Sequence, residues 1–158
     1  MKNFYFYVNN IFNSLIPNYF SQRKLKYLLQ EVNKYPKEEI KERISYYITN
    51  NNGQLAANAI ALKDFKRPKK GTMYYFDLVQ YTRYFKNNLK IKFKFGDVQE
   101  NQDTLTIVKS RPINHSGNSV IMKLDALRHY YFVNDVIPFS EKKNKAVWRG
   151  YIHKENRR

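Results

Sequence analysis

Two residues with reactive side chains, Asp97 and Arg149, follow segments in which a β-strand is expected to end. Residues 90–95 alternate between lysine and large apolar side chains, which is typical of a half-buried strand, and Gly96-Asp97 comes next. Residues 146–148 form a short apolar run typical of a buried strand, and Arg149-Gly150 follows it. Open α/β sheets bind ligands beyond the carboxyl ends of their strands. We therefore expect the carboxylate and the guanidinium to border one cleft.

A guanidinium at the end of a strand suits a phosphate or a diphosphate, because its planar fork of donors matches the phosphate oxygens. Gly150 lets the backbone turn tightly or lie close to such a ligand. Both residues also have a simpler interpretation. Arg-Gly is common in surface turns, and an aspartate that follows glycine often hydrogen-bonds its own backbone in a turn.

The elements that must position these residues alternate between helices and strands. Apolar spacing predicts helices after Ser21 and Pro36 and over residues 73–85, a short helix over residues 55–62, and a helix over residues 119–127 capped by Ser119. Strands are predicted over residues 90–95, 104–108 and 145–148. Asp77 and Asp125 then fall on helix surfaces. This alternation favours a layered, mostly parallel α/β sheet of the Rossmann type.

The first 34 residues are predicted to form a separate helical segment ahead of a domain over residues 35–158. Aromatic and aliphatic residues fill positions 4–20, and apolar positions after Ser21 face away from several lysines and Arg23. Such a segment either packs onto its own domain or lies as an amphipathic anchor on an anionic membrane. No apolar run reaches the roughly 20 residues of a membrane span, and no signal peptide is expected.

The charge of the chain favours polyanionic partners. Its 158 residues, enough for one domain, contain 29 Lys and Arg against 13 Asp and Glu, a formal charge of +16. Candidate partners are phosphorylated sugars and nucleotides, an anionic membrane, or nucleic acid, with lysines on phosphates and the 14 tyrosines stacking on bases. The absence of cysteine excludes disulfides and thiolate metal sites and fits a cytoplasmic location, and the three histidines lack metal-ligand spacing.

Five spaced segments of the chain form a specific pattern when they are taken together and in order. They are Phe95-Gly96-Asp97-Val98, Val108-Lys109-Ser110-Arg111-Pro112-Ile113, Asn118-Ser119-Val120-Ile121-Met122-Lys123-Leu124, Arg128-His129-Tyr130-Tyr131-Phe132-Val133-Asn134-Asp135 and Lys145-Ala146-Val147-Trp148-Arg149-Gly150. With these segments the chain resembles one family, the lipopolysaccharide-modifying glycosyltransferases, which are similar to capsule-associated proteins and to eukaryotic protein O-glucosyltransferases. The resemblance covers about residues 74–158.

The resemblance implies the amino-terminal, acceptor-side half of a GT-B-type enzyme with two facing Rossmann-like domains, which transfers a hexose with inversion. It implies Asp97 as catalytic base, although Gly, Val and Gln replace the Arg, Tyr and Pro of the relatives around it. It further implies that Arg149, Gly150 and Arg157 lie near the diphosphate of a nucleotide-sugar such as a UDP-hexose, without an obligatory metal.

Four more residues of these segments are candidate substrate contacts. Lys109, Ser110 and Arg111 form either such a contact or an ordinary solvated strand exit before Pro112, and Asn118 is either a contact or a cap. The expected acceptor is lipopolysaccharide core or another cell-envelope glycan, on the inner face of the plasma membrane, and nucleic acid is the less favoured partner. We expect the isolated chain to be inactive or nearly so. A basic, tyrosine-rich nucleic-acid-binding module and an inactive fragment are the alternatives.

Overall fold

The computed structural model of the chain describes residues 2–48, 53–113, 117–129 and 134–147. Within these ranges the helices are α1 (Lys2–Leu15), α2 (Asn18–Glu31), α3 (Lys37–Tyr47) and α4 (Thr72–Thr82), and the strands are β1 (Ile60–Ala61), β2 (Lys90–Ile91), β3 (Phe93–Lys94), β4 (Thr106–Val108) and β5 (Ser119–Ile121). Short 3₁₀ turns cover Val32–Lys34, Leu62–Asp64 and Phe139–Glu141. None of the described helices combines the length and the apolarity needed to cross a membrane.

The centre of the fold is a three-stranded parallel sheet in the order β3-β4-β5. Phe93 pairs with Ile107, and Ile107 with Val120, so the three strands run in register in one direction. A separate antiparallel pair is formed by β1 and β2. The predicted α/β class with a parallel sheet is confirmed, and the arrangement is compatible with a Rossmann-like architecture.

The predicted strand over residues 90–95 is divided between two sheets. Its first part, β2, pairs with β1, whereas its second part, β3, pairs with β4. Lys92 lies between them, and its carbonyl oxygen accepts a hydrogen bond of 2.9 Å from the amide of Ile107. The predicted strand is therefore confirmed at residues 90–91 and 93–94, but the alternation of its side chains does not show which neighbouring strand each half pairs with.

Three element predictions are wrong. Residues 119–127 do not form a helix, because Ser119–Ile121 is strand β5 and hydrogen-bonds to β4. Residues 55–62 do not form a helix either, since Ile60–Ala61 pairs with β2. Residues 145–147 form no strand, and Val147 is 92% exposed. In the first two cases β-pairing with a distant strand outweighs the local helical spacing.

Three predicted helices, those after Ser21, after Pro36 and over residues 73–85, are present as α2, α3 and α4 with shifted bounds. Pro17 and Pro36 immediately precede α2 and α3, where the fixed φ angle of proline suits a helix start. Gly71 precedes α4 with φ +69, a left-handed conformation that glycine adopts without steric cost. The proposed boundary at residue 34 stays a prediction.

The core lies between α4 and the sheet. Its fully or nearly buried members are Phe65, Tyr74, Leu78, Ile91 and Leu124. Leu78 lies one turn after Tyr74 on the buried face of α4, and the ring of Tyr74 stacks on that of Phe95 with centroids 5.0 Å apart. This packing fixes the orientation of Tyr74, so that its hydroxyl reaches the edge where the parallel strands end.

Candidate functional site

The carboxyl ends of the three parallel strands bring together Asp97, Lys109 and Asp125. Lys109 directly follows β4, Asp97 follows β3 after two residues, and Asp125 follows β5 after three. The Nζ atom of Lys109 lies 2.5 Å from Oδ1 of Asp97 and 3.8 Å from Oδ2 of Asp125. The structure thus has the polar edge that parallel strands are expected to form.

Asp97 is presented to solvent on a tight loop. Gly96 before it has φ +96, a backbone conformation that residues with a Cβ rarely adopt. The Asp97 side chain is 76% exposed, so an incoming ligand can reach its carboxylate. The hydrogen bond from Lys109, assisted by the charge of that lysine, lowers the pKa of Asp97 below its ordinary value of 3.8. Asp97 is therefore ionised at neutral pH.

Lys109 differs from Asp97 in being shielded, with only 10% of its side chain exposed. Its burial alone would lower the pKa of Lys109, but the hydrogen bond to Asp97 and the nearby negative charges of Asp97 and Asp125 raise it above 10.5. Two carboxylates thus keep this largely buried lysine charged. A cation fixed in this way can hold one oxygen of Asp97 in place.

Asp125 is the anchor of the cluster and is fully buried. Oδ2 of Asp125 accepts hydrogen bonds from the Tyr74 hydroxyl at 3.3 Å and from Nε of Arg128 at 2.6 Å, and Nη2 of Arg128 also contacts it. Nε2 of His129 lies 3.8 Å away. Burial alone would raise the pKa of Asp125, but the hydrogen bonds and positive charge of Arg128, with the charge of Lys109, hold it below 3.8.

Two features mark Asp125 as a constrained position. Its φ angle is +63, in the left-handed region that aspartate and asparagine tolerate better than most residues but still at a cost of about 1 kcal/mol. Its second oxygen, Oδ1, is buried without a hydrogen-bond partner. An unfavourable backbone conformation and an unpaired polar atom persist where the surrounding structure holds a residue firmly in one conformation.

Asp77 supports the same turn from α4. Its side chain is buried, and its Oδ2 accepts a hydrogen bond of 2.9 Å from the amide of Ala126. Burial raises the pKa of Asp77 above 3.8, against the hydrogen bonds from the amides of Ala126 and Asp125. The prediction that Asp77 and Asp125 are surface helix positions is wrong, because β5 and the turn after it fold over α4.

The other predicted substrate contacts make hydrogen bonds to main-chain carbonyl oxygens. The Ser110 hydroxyl lies 3.5 Å from the carbonyl oxygen of Val98, and Nδ2 of Asn118 donates to that of Asp103 at 2.8 Å. The Arg111 guanidinium contacts the carbonyl oxygens of Tyr46 and Ser119 and lies over the Tyr46 ring, 5.8 Å from its centroid. These bonds tie together the loops around the polar edge.

Three predicted donor contacts, Arg149, Gly150 and Arg157, lie outside the described residues. The prediction that Arg149 and Asp97 border one cleft therefore stays a prediction. Among the described residues, no group of three or more histidine, aspartate or glutamate side chains is arranged to hold a metal ion.

Sequence reasoning missed the central position of Asp125. The signal was present, because Asp125 follows an apolar segment just as Asp97 does. The helix predicted over residues 119–127 offers no strand end at which Asp125 could lie. Reading Ser119–Ile121 as a strand would have placed three polar residues, one per strand, at the same edge.

The fold and this edge define an α/β protein with a carboxylate–lysine pair where such sheets bind their ligands. Among known proteins, the O-glucosyltransferase LpsA of Dichelobacter nodosus is 35% identical to the chain over an alignment of 159 positions, which covers 96% of the chain and 49% of that relative. The predicted resemblance to lipopolysaccharide-modifying glycosyltransferases is confirmed by this relative, to which the chain is similar over nearly its whole length.

The chain spans about half the length of the curated relative that it matches. No protein-family model matches it, and no solved structure matches it. The similarity to LpsA extends beyond the motifs of residues 74–158 and includes the amino-terminal helices, because it covers all but a small part of the chain.

Proposed function

We propose that this chain forms the acceptor-side half of an inverting, GT-B-type glycosyltransferase. It would move a hexose from a nucleotide-sugar to a glycan of the cell envelope, such as lipopolysaccharide core, on the cytoplasmic face of the membrane. The observation that carries the proposal is the contact between exposed Asp97 and shielded Lys109 at the carboxyl ends of parallel strands. The similarity to an O-glucosyltransferase supports the reaction class.

In the proposed reaction, an acceptor hydroxyl attacks the anomeric carbon of the sugar while the bond from that carbon to the diphosphate breaks. The hydroxyl proton passes to the Asp97 carboxylate, and the nucleoside diphosphate leaves with the bonding electrons. A positioned general base of this kind contributes about 10²- to 10⁴-fold to a rate. The configuration at the anomeric carbon inverts because the attack and the departure occur on opposite faces.

Lys109 has a positioning role in this proposal. It pairs with Oδ1 of Asp97 and thereby orients the carboxylate, whose other oxygen, Oδ2, would receive the proton. The same pairing lowers the pKa of Asp97 and makes it a weak base. Much of the acceleration must therefore come from alignment of the acceptor and from stabilisation of the leaving diphosphate.

Arg149, Gly150 and Arg157 are proposed to contact that diphosphate, and no metal is required because guanidinium groups supply the positive charge. The substrate is proposed to contact Ser110, Arg111 and Asn118, whose hydrogen bonds tie together the loops around the polar edge. The residues that select the sugar would belong mostly to a second domain, so we expect the isolated chain to transfer little or no sugar.

Measurement of hexose transfer tests the proposal, with the chain alone compared with a version extended by a second domain. The extended protein should transfer sugar from a nucleotide-sugar to a lipopolysaccharide-core acceptor and invert the anomeric configuration. A retained configuration would contradict the proposed mechanism. A salt-dependent gel shift tests the nucleic-acid alternative, and tight binding to single strands without binding of a nucleoside diphosphate would favour it.

A further inference from the structure

Helix α1 packs through its less apolar side and leaves most of its apolar side exposed, with Val8 half-buried on that side. Phe6 and Tyr7 contact Phe76 of α4, with ring centroids 6.4 Å and 5.9 Å apart, and the Tyr7 hydroxyl hydrogen-bonds Thr72 at 3.1 Å. At 100° per residue, the exposed apolar residues of α1 form an arc of about 120° on another side of the helix. They are Phe4, Tyr5, Ile11, Phe12 and Leu15, each between 46% and 72% exposed.

Helix α2 carries cations and aromatic side chains together on one exposed face. Phe20, Arg23, Lys24 and Tyr27 are all exposed and fall within about 100° of one another on the helix. The Arg23 guanidinium lies over the Tyr19 ring, 5.5 Å from its centroid, and donates to its hydroxyl at 3.1 Å. Aromatic and basic side chains that share one helix face are typical of helices lying at a membrane–water interface.

The two helices are attached to the rest of the protein by polar contacts. Nη2 of Arg83 donates to the carbonyl oxygen of Ile16 at 3.1 Å, and Nε2 of Gln22 donates to that of Phe85 at 2.8 Å. None of the residues of α2 is buried. These polar contacts add to the packing of Phe6 and Tyr7 on Phe76, and they leave the exposed aromatic side chains of both helices available to a partner.

We propose that α1 and α2 form a docking surface for an anionic lipid bilayer. Charge complementarity identifies this partner. Residues 2–31 contain four cations, Lys2, Arg23, Lys24 and Lys26, against one acid, Glu31, within a chain of charge +16. Juxtamembrane cations are attracted to anionic lipid headgroups, and exposed Phe and Leu side chains enter the acyl boundary.

The same features argue against the other occupants of this surface. A second copy of the chain would bring two sets of Arg23, Lys24 and Lys26 into one interface, and like charges held close together repel. Nucleic acid would neutralise the cations but would leave the aliphatic side chains of α1 in water. A bilayer covers both kinds of side chain. This inference goes beyond the proposed sugar transfer and does not depend on it.

The test is co-sedimentation of the full chain with vesicles of phosphatidylcholine alone or mixed with phosphatidylglycerol. We expect binding to the anionic vesicles only. The variant Phe12→Ser/Leu15→Ser should abolish most of the binding. The variant Arg23→Gln/Lys24→Gln/Lys26→Gln should weaken it on the order of a hundredfold, because each cation near an anionic surface contributes about fivefold.

Matched controls remove equivalent groups elsewhere. Lys66→Gln/Lys69→Gln/Lys70→Gln deletes three exposed cations of the loop before α4, and Phe139→Ser deletes an aromatic side chain that is 91% exposed. Both controls should bind vesicles within about twofold of the unchanged chain, with circular dichroism confirming the fold of every variant. An equal loss in the two triple variants would overturn the proposal, because net charge alone would then explain binding.

Two further results would also overturn it. One is failure of the unchanged chain to bind anionic vesicles. The other is a dimer by analytical ultracentrifugation that Phe12→Ser/Leu15→Ser converts to monomer, because a second copy would then cover the surface. None of these measurements includes a sugar donor or acceptor, so their outcome is separate from that of the transfer assay.

Discussion

The Nζ atom of Lys109 lies 2.5 Å from Oδ1 of Asp97, and the lysine is the shielded member of the pair. Only 10% of the lysine side chain is exposed, against 76% of the aspartate side chain. In most surface ion pairs both partners are mobile and the gain is small. Here Asp125 holds the lysine from the buried side, so the lysine is a fixed support on which the exposed carboxylate is oriented.

The variant Lys109→Met should raise the pKa of Asp97. The substitution removes the hydrogen bond and the charge that lower this pKa, while the apolar stem of the side chain is kept. NMR titration of the Asp97 carboxyl carbon in the isolated chain measures the effect without any enzymatic activity. The pKa should lie below 3.8 in the unchanged chain and move upward in the variant.

Lys142→Met is the matched control for this titration, because Lys142 pairs with another exposed aspartate, Asp135. It should leave the pKa of Asp97 unchanged. If Lys109→Met also left it unchanged, the contact between Lys109 and Asp97 would not exist in solution. In an active, extended enzyme, the acidic limb of the pH–rate profile should move to higher pH in Lys109→Met, since Asp97 must be ionised to accept a proton.

The variant Asp97→Asn should lower kcat of the extended enzyme about 10²- to 10⁴-fold, because the amide cannot accept the proton of the acceptor hydroxyl. The fold should be kept, since the side chain is exposed. Asp135→Asn, which removes an equally ion-paired surface carboxylate, should leave kcat within about twofold. Comparable activity of the two variants would exclude Asp97 as the base.

The sequence was sufficient to predict the α/β class, the parallel strands and the polar residue at the end of β3. Apolar runs and apolar residues at helical spacing report which side chains are buried, and they predict strand β4 (Thr106–Val108) and helix α4 (Thr72–Thr82). Ser119–Ile121 was misread because a serine followed by apolar residues at helical spacing is also a good helix start. The hydrogen bonds to β4 make this segment a strand and not a helix. The local sequence does not show that β4 is its partner.

The burial of Asp77 and Asp125 was unpredictable for the same reason. A charged side chain is expected in water unless a partner compensates it. Arg128 is close to Asp125 in the sequence, but other partners of the two carboxylates lie far away. Asp125 is 51 residues from Tyr74, and Asp77 is 49 residues from Ala126. The hydrogen bonds of the two carboxylates can be recognised only once it is known that the turn after β5 packs over α4.

The variant Asp125→Asn should destabilise the fold by about 1.5–3 kcal/mol, the range for hydrogen bonds to charged groups. Asparagine tolerates the left-handed backbone that aspartate adopts here, so the change isolates the loss of charge. Because the pKa of Asp125 is lowered, its contribution is complete above about 3.8 and is lost as the pH falls through the folded-state value.

Urea unfolding at several pH values measures this dependence. The unchanged chain should lose stability steeply below pH 3.8, and Asp125→Asn should lose less over the same interval. Asp103→Asn, a change at an exposed carboxylate, should follow the unchanged chain. Parallel curves for Asp125→Asn and the unchanged chain would show that Arg128 and Lys109 do not hold the carboxylate ionised.

The variants Asp77→Asn and Asp77→Ala should affect stability in opposite directions at neutral pH. Burial raises the pKa of Asp77, so its charged form costs free energy, and stability declines as the pH rises from 3.8 through the folded-state value. Asparagine removes that charge and still accepts the hydrogen bond from the Ala126 amide, so the free energy of unfolding should increase. Alanine leaves this amide without a partner and should cost about 1–3 kcal/mol. Equal urea midpoints for the two variants would mean that this hydrogen bond does not hold the turn after β5.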